Sequence, residues 1–239
     1  MGRLKRLGEG LLQMIYPRRC PVCDEITGWR GEKICPACRG RLRLLEEPWC
    51  MRCGRKLSEE EEYCPECRRR KHFYLRGRAL YEYAGAAEAI YRFKYGGRRE
   101  YADYFGEQIC LHLGEFIRSV NPDGLVPVPL HRRRMKARGY NQAELLARAV
   151  GRRMKLPVYP KMLVRVKNTV PQKKLNPEER QNNLKKAFIM GRNDVKLKTV
   201  IVIDDIYTTG TTIDEAARVL REAGADRVYF ITLACGAGI

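Results

Sequence analysis

Residues Val200–Thr212 read VIVIDDIYTTGTT. Four β-branched apolar residues end in two adjacent carboxylates, and two residues later comes a run of hydroxyls around one glycine. The apolar run has the composition of a strand buried on both faces, as in a parallel sheet. Thr212 and Glu215 have capping-box spacing, so a helix is expected to begin near Thr212. A strand, a short loop and a helix in that order put Asp204 and Asp205 at the carboxyl end of a strand, where open α/β sheets bind their ligands.

The residue types narrow the ligand. Ionised carboxylates only accept hydrogen bonds, whereas the adjacent hydroxyls of a ribose donate them, so the acids suit a vicinal diol. They also suit water held on a Mg²⁺ ion. Gly210 permits backbone angles that turn several N–H groups inward. With the hydroxyls of Thr208, Thr209 and Thr211 and the following helix N-terminus, the loop suits a phosphate dianion. A P-loop would need G-x-x-x-x-G-K-[ST] and a dinucleotide site G-x-G-x-x-G, and the chain has neither. A plain buried strand, acidic turn and capped helix accounts for Thr212 and Glu215 but not for twin acids followed by T-T-G-T-T.

Outward from this stretch the pattern alternates. RALYEYAG (78–85), GLVPVPL (124–130), YPKMLVRV (159–166), KAFIM (186–190) and DRVYFITLA (226–234) read as strands. Helical spacing marks residues 86–96, 101–119, 141–154 and 211–225, and residues 167–183 form a polar, basic segment. This predicts an α/β fold with a parallel sheet and helices on both faces. Leu4, Leu7, Leu11, Leu12 and Ile15 follow helical spacing, so residues 1–16 are expected to form a short amphipathic helix rather than a signal peptide. It would pack on the protein or lie on a membrane surface. No apolar run reaches the roughly 18 residues of a span, and a cytoplasmic location is expected. The composition shifts near residue 70, which divides the chain into a helix (1–16), a cysteine-rich unit (17–70) and the α/β unit (71–239), with RRRKHFYLRGR (68–78) as connector.

Eight of the ten cysteines form four C-x-x-C pairs: Cys20/Cys23, Cys35/Cys38, Cys50/Cys53 and Cys64/Cys67. The pairs group into two units of nearly equal spacing. Four thiolates match a closed, tetrahedral, structural Zn²⁺ site, and one Zn²⁺ per unit resembles a double zinc ribbon. Cross-braced pairing satisfies the same spacing. The head has too little apolar material for a core of its own, so metal would supply stability. Cys110 and Cys235 read as buried structural thiols. The chain carries a net charge of +19, concentrated between His131 and Lys198, where 20 basic residues face 4 acidic ones. Such a surface suits nucleic-acid phosphates or a highly charged small anion.

VIVIDDIYTTGTT meets every position of the phosphoribosyl pyrophosphate (PRPP) motif of type I phosphoribosyltransferases, and so resembles that family. FKYGG (Phe93–Gly97), PVPLHRRRMKARGYNQA (Pro127–Ala143), the Q-x-x-L-x-x-x-x-R-x-x-N segment (Gln172–Asn183) and the cysteine-rich head resemble the ComF family over nearly the whole chain. The resemblance implies PRPP as ligand or substrate, with Mg²⁺, held by Asp204, Asp205, Tyr207, Thr208, Thr209, Gly210, Thr211 and Thr212. It implies pyrophosphate contacts from His131, Arg132 and Arg138, and from Gln172, Lys173, Lys174 and Arg180 on a loop that closes over PRPP. Plainer roles stand beside these: a turn residue for His131, a helix cap for Asn141, core packing for Phe93 and Tyr95, with Lys94 as an anion contact. The ComF resemblance further implies DNA uptake and natural transformation, with single-stranded DNA and uptake-machinery proteins as partners. Phe73, Tyr74, Tyr91, Tyr95 and Tyr140 are candidates for stacking bases. Two functions remain in view: a PRPP-binding protein that handles single-stranded DNA, and a Mg²⁺-dependent phosphoribosyltransferase acting on a small acceptor.

Overall fold

The computed structural model describes residues 17–27, 32–58, 61–166, 187–191 and 195–236. In chain order the α-helices and strands are α1 (Pro65–Arg69), β1 (Arg76–Glu82), α2 (Tyr83–Tyr95), α3 (Tyr101–Val120), β2 (Gly124–Pro127), α4 (Arg132–Arg138), α5 (Gln142–Met154), β3 (Leu163–Arg165), β4 (Phe188–Met190), β5 (Thr199–Tyr207), α6 (Thr211–Glu222) and β6 (Arg227–Cys235). The expected helix over residues 1–16 lies outside the described residues.

A four-stranded sheet runs in the order β1-β6-β5-β2, and all its pairings are parallel. Side chains alternate across a strand, so β5 feeds two cores. Val200 and Val202 face one, with Ile213, Ala216, Ala217 and Leu220 of α6. Ile201 and Ile203 face the other, with Ile90 and Phe93 of α2, Phe105 and Ile109 of α3, and Leu146 and Val150 of α5. The apolar spacing of α6 (Ile213, Ala216, Ala217, Leu220) is one face of a helix, which is why it lies flat on the sheet. The parallel sheet with helices on both faces is therefore the one the sequence predicts. β3 and β4 form a separate antiparallel pair beside α6.

Neither long edge of the sheet is bare. Along β1, Leu45 N–H donates to Leu80 O at 2.9 Å and Glu82 N–H to Arg43 O at 3.0 Å, so the segment between the two cysteine units straps that edge. Along β2, Leu125 N–H donates to Pro157 O and Tyr159 N–H to Leu125 O, both at 2.9 Å. The 68–78 stretch is no free tether: Tyr74 is buried and Leu75 N–H bonds Val228 O at 2.8 Å. Among the described residues no helix is long and apolar enough to cross a membrane.

Candidate ligand pocket and metal centres

Asp204 and Asp205 lie near the carboxyl end of β5, as the sequence predicts. β2 pairs with β5 only as far as Pro127 opposite Ile203, while β6 continues alongside to Cys235 opposite Tyr207. The acids thus emerge where β5 loses one neighbour, which opens a crevice at the carboxyl end of the sheet. Asp205 N–H donates to Asp204 Oδ1 at 2.8 Å, and Lys94 Nζ sits 2.7 Å from Asp205 Oδ1. Burial, and then the charge of Asp205, push the Asp204 carboxyl up to about 7, against the pull of Lys94 and Arg165. Arg165, on β3, is itself lowered to about 10 by burial and by Arg134, with Asp204 opposing. Lys94 of α2 thus pairs with one acid at this strand end, and the charge of Arg165 on β3 acts on the other.

The loop follows at once. Gly210 has φ +74° and is the N-cap of α6, and a Cβ there would meet the Tyr207 hydroxyl at 2.4 Å, so glycine is required on two counts. Thr212 is therefore not the N-cap: the left-handed Gly210 takes that place two residues earlier, and Glu215 pairs with Arg218. The hydroxyls of Thr209 and Thr211 lie 2.8 Å apart. The first N–H groups of any helix lack intrahelical acceptors, so this terminus offers donors to an anion. The Tyr207 ring turns inward, stacked on Phe230 at 4.9 Å and bonded to the Tyr74 hydroxyl at 2.8 Å, so it supports the loop from below.

Of the residues after β2, His131 is the N-cap of α4, its Nδ1 accepting from Arg133 N–H at 3.3 Å. Arg132 is exposed. Arg138 bonds Gln142 Oε1 and lies 4.7 Å over the Tyr95 ring. Asn141 caps α5 through Ala143 N–H and also donates to Val128 O at 2.9 Å. Tyr140 donates to Phe93 O at 2.5 Å. FKYGG and the RGYNQ stretch, far apart in sequence, are thereby joined beside the acids. Gln172, Lys173, Lys174 and Arg180 lie outside the described residues. Arg134 and Arg165 were not singled out by the sequence, because nothing in their local spacing marks them.

The eight cysteines form two sets, Cys20/Cys23/Cys35/Cys38 and Cys50/Cys53/Cys64/Cys67, and within each set the sulfurs lie within 4.8 Å of one another. Pairing is therefore sequential, not cross-braced, and none of the cysteines is disulfide-bonded. Cys23 and Cys35 sulfurs are 3.6 Å apart, Cys53 and Cys64 3.7 Å. A tetrahedron with Zn–S of about 2.3 Å has sulfurs about 3.8 Å apart, so both sets fit the ion.

Comparison with known proteins agrees with this geometry. Residues 11–68 match the double zinc ribbon domain, and residues 138–237 the phosphoribosyl transferase domain. Over 239 aligned residues, 91% of this chain and 92% of the relative, it is 33% identical to Competence protein ComFC of Bacillus subtilis. The chain belongs to the ComF family. Two other ComF-type relatives are Competence protein F of Haemophilus influenzae, 28% identical over 90% of this chain and 96% of its own length, and DNA utilization protein YhgH of Escherichia coli, 29% identical over the same shares. The double zinc ribbon and the phosphoribosyltransferase-type sheet are thus both features of a ComF chain.

Proposed function

We propose that this protein binds PRPP with Mg²⁺ at the β5–α6 junction and acts on single-stranded DNA in the cytoplasm during DNA uptake. The observation that carries this reading is the junction itself: twin acids at an open strand end, followed within five residues by a glycine-capped helix N-terminus. Asp204 and Asp205 accept hydrogen bonds from the ribose diol or from water on the metal ion. Loop N–H groups and threonine hydroxyls take the 5′-phosphate. Lys94, now paired with Asp205, exchanges that partner for an anionic group of the ligand. Arg165 and Arg134 supply positive charge facing the pyrophosphate. In this reading His131, the N-cap of α4, and Arg132 and Arg138 on α4 serve the same pyrophosphate side.

The DNA arm rests on the face beside the pocket. Tyr91 and Tyr95 are 64% and 63% exposed, with ring centroids 5.0 Å apart. Among the described residues, Arg132, Arg133 and Lys136 of α4 have no carboxylate at ion-pair distance, whereas Lys33, Lys56, Arg68, Arg148 and Arg218 each have one. Exposed rings next to uncompensated cations suit stacked bases and their phosphates. Tyr74 and Tyr140 are buried and drop out as stacking candidates.

Transferase activity on a small acceptor is the second reading, favoured by the cations gathered around Asp204 and Asp205, which suit a pyrophosphate leaving group. Calorimetry with PRPP and Mg²⁺ separates the arms. Asp204→Asn and Asp205→Asn are expected to abolish PRPP binding yet leave the salt slope of single-stranded DNA binding near −0.7 per neutralised phosphate. Pyrophosphate release with a small acceptor and without DNA supports the transferase; PRPP heats unchanged by both substitutions would remove the pocket.

A further inference from the structure

The second cysteine tetrad is built against the underside of the anion loop. Its four ligands are all buried, and they share one hydrophobic cluster with Tyr207 of β5 and Ile213, Ala216 and Ala217 of α6. The knuckle glycine Gly54, at φ +68°, lies so close to β1 that a Cβ would meet Gly77 O at 2.7 Å. The next residue, Arg55, reaches across 153 positions of sequence and donates from Nη2 to Thr208 O at 2.6 Å, while Glu66 holds the same guanidinium at 3.2 Å. In a trans peptide the C=O and the following N–H point opposite ways. Fixing Thr208 O toward the ribbon therefore turns Thr209 N–H away from it, as an anion cradle requires.

Two more struts run in parallel. Cys67 Sγ is 3.7 Å from His72 Nε2, and His72 Nδ1 approaches Asp214 Oδ1 to 3.4 Å without hydrogen-bonding it. Asp214 sits in the first turn of α6 and also accepts from Phe73 N–H at 2.8 Å and from Arg70 at 3.2 Å. His72 stacks on Tyr74 at 4.6 Å, and Tyr74 bonds Tyr207, whose hydroxyl lies under Gly210. The ribbon thus grips a loop carbonyl, the helix's first turn and the ring beneath the glycine. Among the described residues the first tetrad has no such contacts. Its polar partners are on α2, α3 and the loop between them: Arg92 with Val22 O, Arg98 with Asp24, Tyr101 with Cys20 O, and Lys33 with Asp103 and Glu107.

We propose that Arg55, His72 and Tyr74 are positioning residues that make anion binding at the Thr208–Thr211 loop depend on metal at Cys50, Cys53, Cys64 and Cys67, and not on metal at the first tetrad. The ligand side of this coupling rests on the pocket reading above; the loop side does not. Coupling is reciprocal, so an anion in the loop also slows metal loss from the second site.

The test uses the full chain loaded with Zn²⁺. Without ligand, amide hydrogen exchange over residues 204–214 is compared in the parent, Arg55→Met, Cys23→Ser and Cys64→Ser proteins. Arg55→Met, still carrying two Zn²⁺, and Cys64→Ser are expected to exchange about 10-fold faster there, with Cys23→Ser unchanged. In the second arm, ribose 5-phosphate, or PRPP with Mg²⁺, slows chelator-driven loss of one Zn²⁺ about 10-fold in the parent but not in Arg55→Met. Parent-like loop exchange in Arg55→Met, or equal loosening by Cys23→Ser, overturns the proposal. If neither phosphate compound binds the parent protein, the pocket reading falls, and the ligand-free exchange still decides the coupling.

Discussion

The two cysteine tetrads have the same ligands, nearly the same spacing and the same sulfur geometry, yet they are embedded differently. In the first, Cys20 and Cys38 are buried in the cluster of α2 and α3, Cys23 and Cys35 are partly exposed, and ion pairs to α3 and the loop before it add to the anchoring. In the second, all four cysteines are buried, and the contacts run through stacked rings and the hydrophobic cluster of β5 and α6. A zinc ribbon's role in a fold is therefore set less by its ligands than by what its knuckles touch. One unit joins the core on the α2–α3 side with two of its cysteines partly exposed; the other lies wholly buried against β5 and α6.

The largest expected effect breaks this contrast directly. Cys64→Ser is expected to lower the main unfolding midpoint by about 10 °C or more, whereas Cys23→Ser leaves it within about 3 °C, both read by calorimetry. Equal losses would mean that the two units are equivalent. Next come the buried hydroxyls. Tyr74→Phe strands the Tyr207 hydroxyl in the core, which costs about 1–3 kcal/mol. Tyr101→Phe on the other side removes a 2.5 Å bond to Asp24, but Asp24 keeps Arg98, so the expected loss in urea melts is under about 1 kcal/mol.

Two acids sharpen the comparison through pH. Burial and Asp205 raise Asp204 to about 7, so the fold favours its protonated form, and stability fades as pH climbs from about 4 to about 7. Asp103 runs the other way: burial opposes it, but Lys33 and Arg153 lower it to about 2, so its contribution is present above about 4 and lost as pH falls toward 2. Asp204→Asn is therefore expected to raise the midpoint by about 3–8 °C at pH 8, less at pH 5 and hardly at pH 4. Asp103→Asn lowers it at both. A ligand that needs both pocket acids ionised binds more tightly as pH rises from 6 to 8. The smallest effect is that of salt. At 1 M the screening length is about 3 Å, so chelators strip the first tetrad faster there, while the second keeps its rate.

The pocket strand was legible because its chemistry is local: a β-branched run, twin acids and a glycine-centred hydroxyl turn are adjacent in sequence. The cysteine units were legible in number and ligand type, but spacing alone satisfied two pairings, and only the folded knuckles chose the sequential one. Helical spacing found the helix start at Thr211, but the capping box misplaced the cap by two residues because spacing ignores the backbone, and the left-handed turn at Gly210 decides it. Lys94 on Asp205, Arg165 near Asp204 and Arg55 on Thr208 were not legible as contacts. Each depends on segments brought together by the sheet, and no period or motif records such a meeting. The same holds for the 68–78 stretch, whose charge reads as a connector while His72 and Tyr74 are buried in the core.

The strap of residues 43–45 along β1 has one more consequence. It occupies the hydrogen-bonding groups that an end strand would otherwise show to solvent. A truncated chain starting just before β1 would carry that row uncovered, an invitation for copies of itself to add strand to strand. The cysteine-rich head thus also serves as a guard against self-association, a duty that neither zinc nor ligand chemistry would suggest.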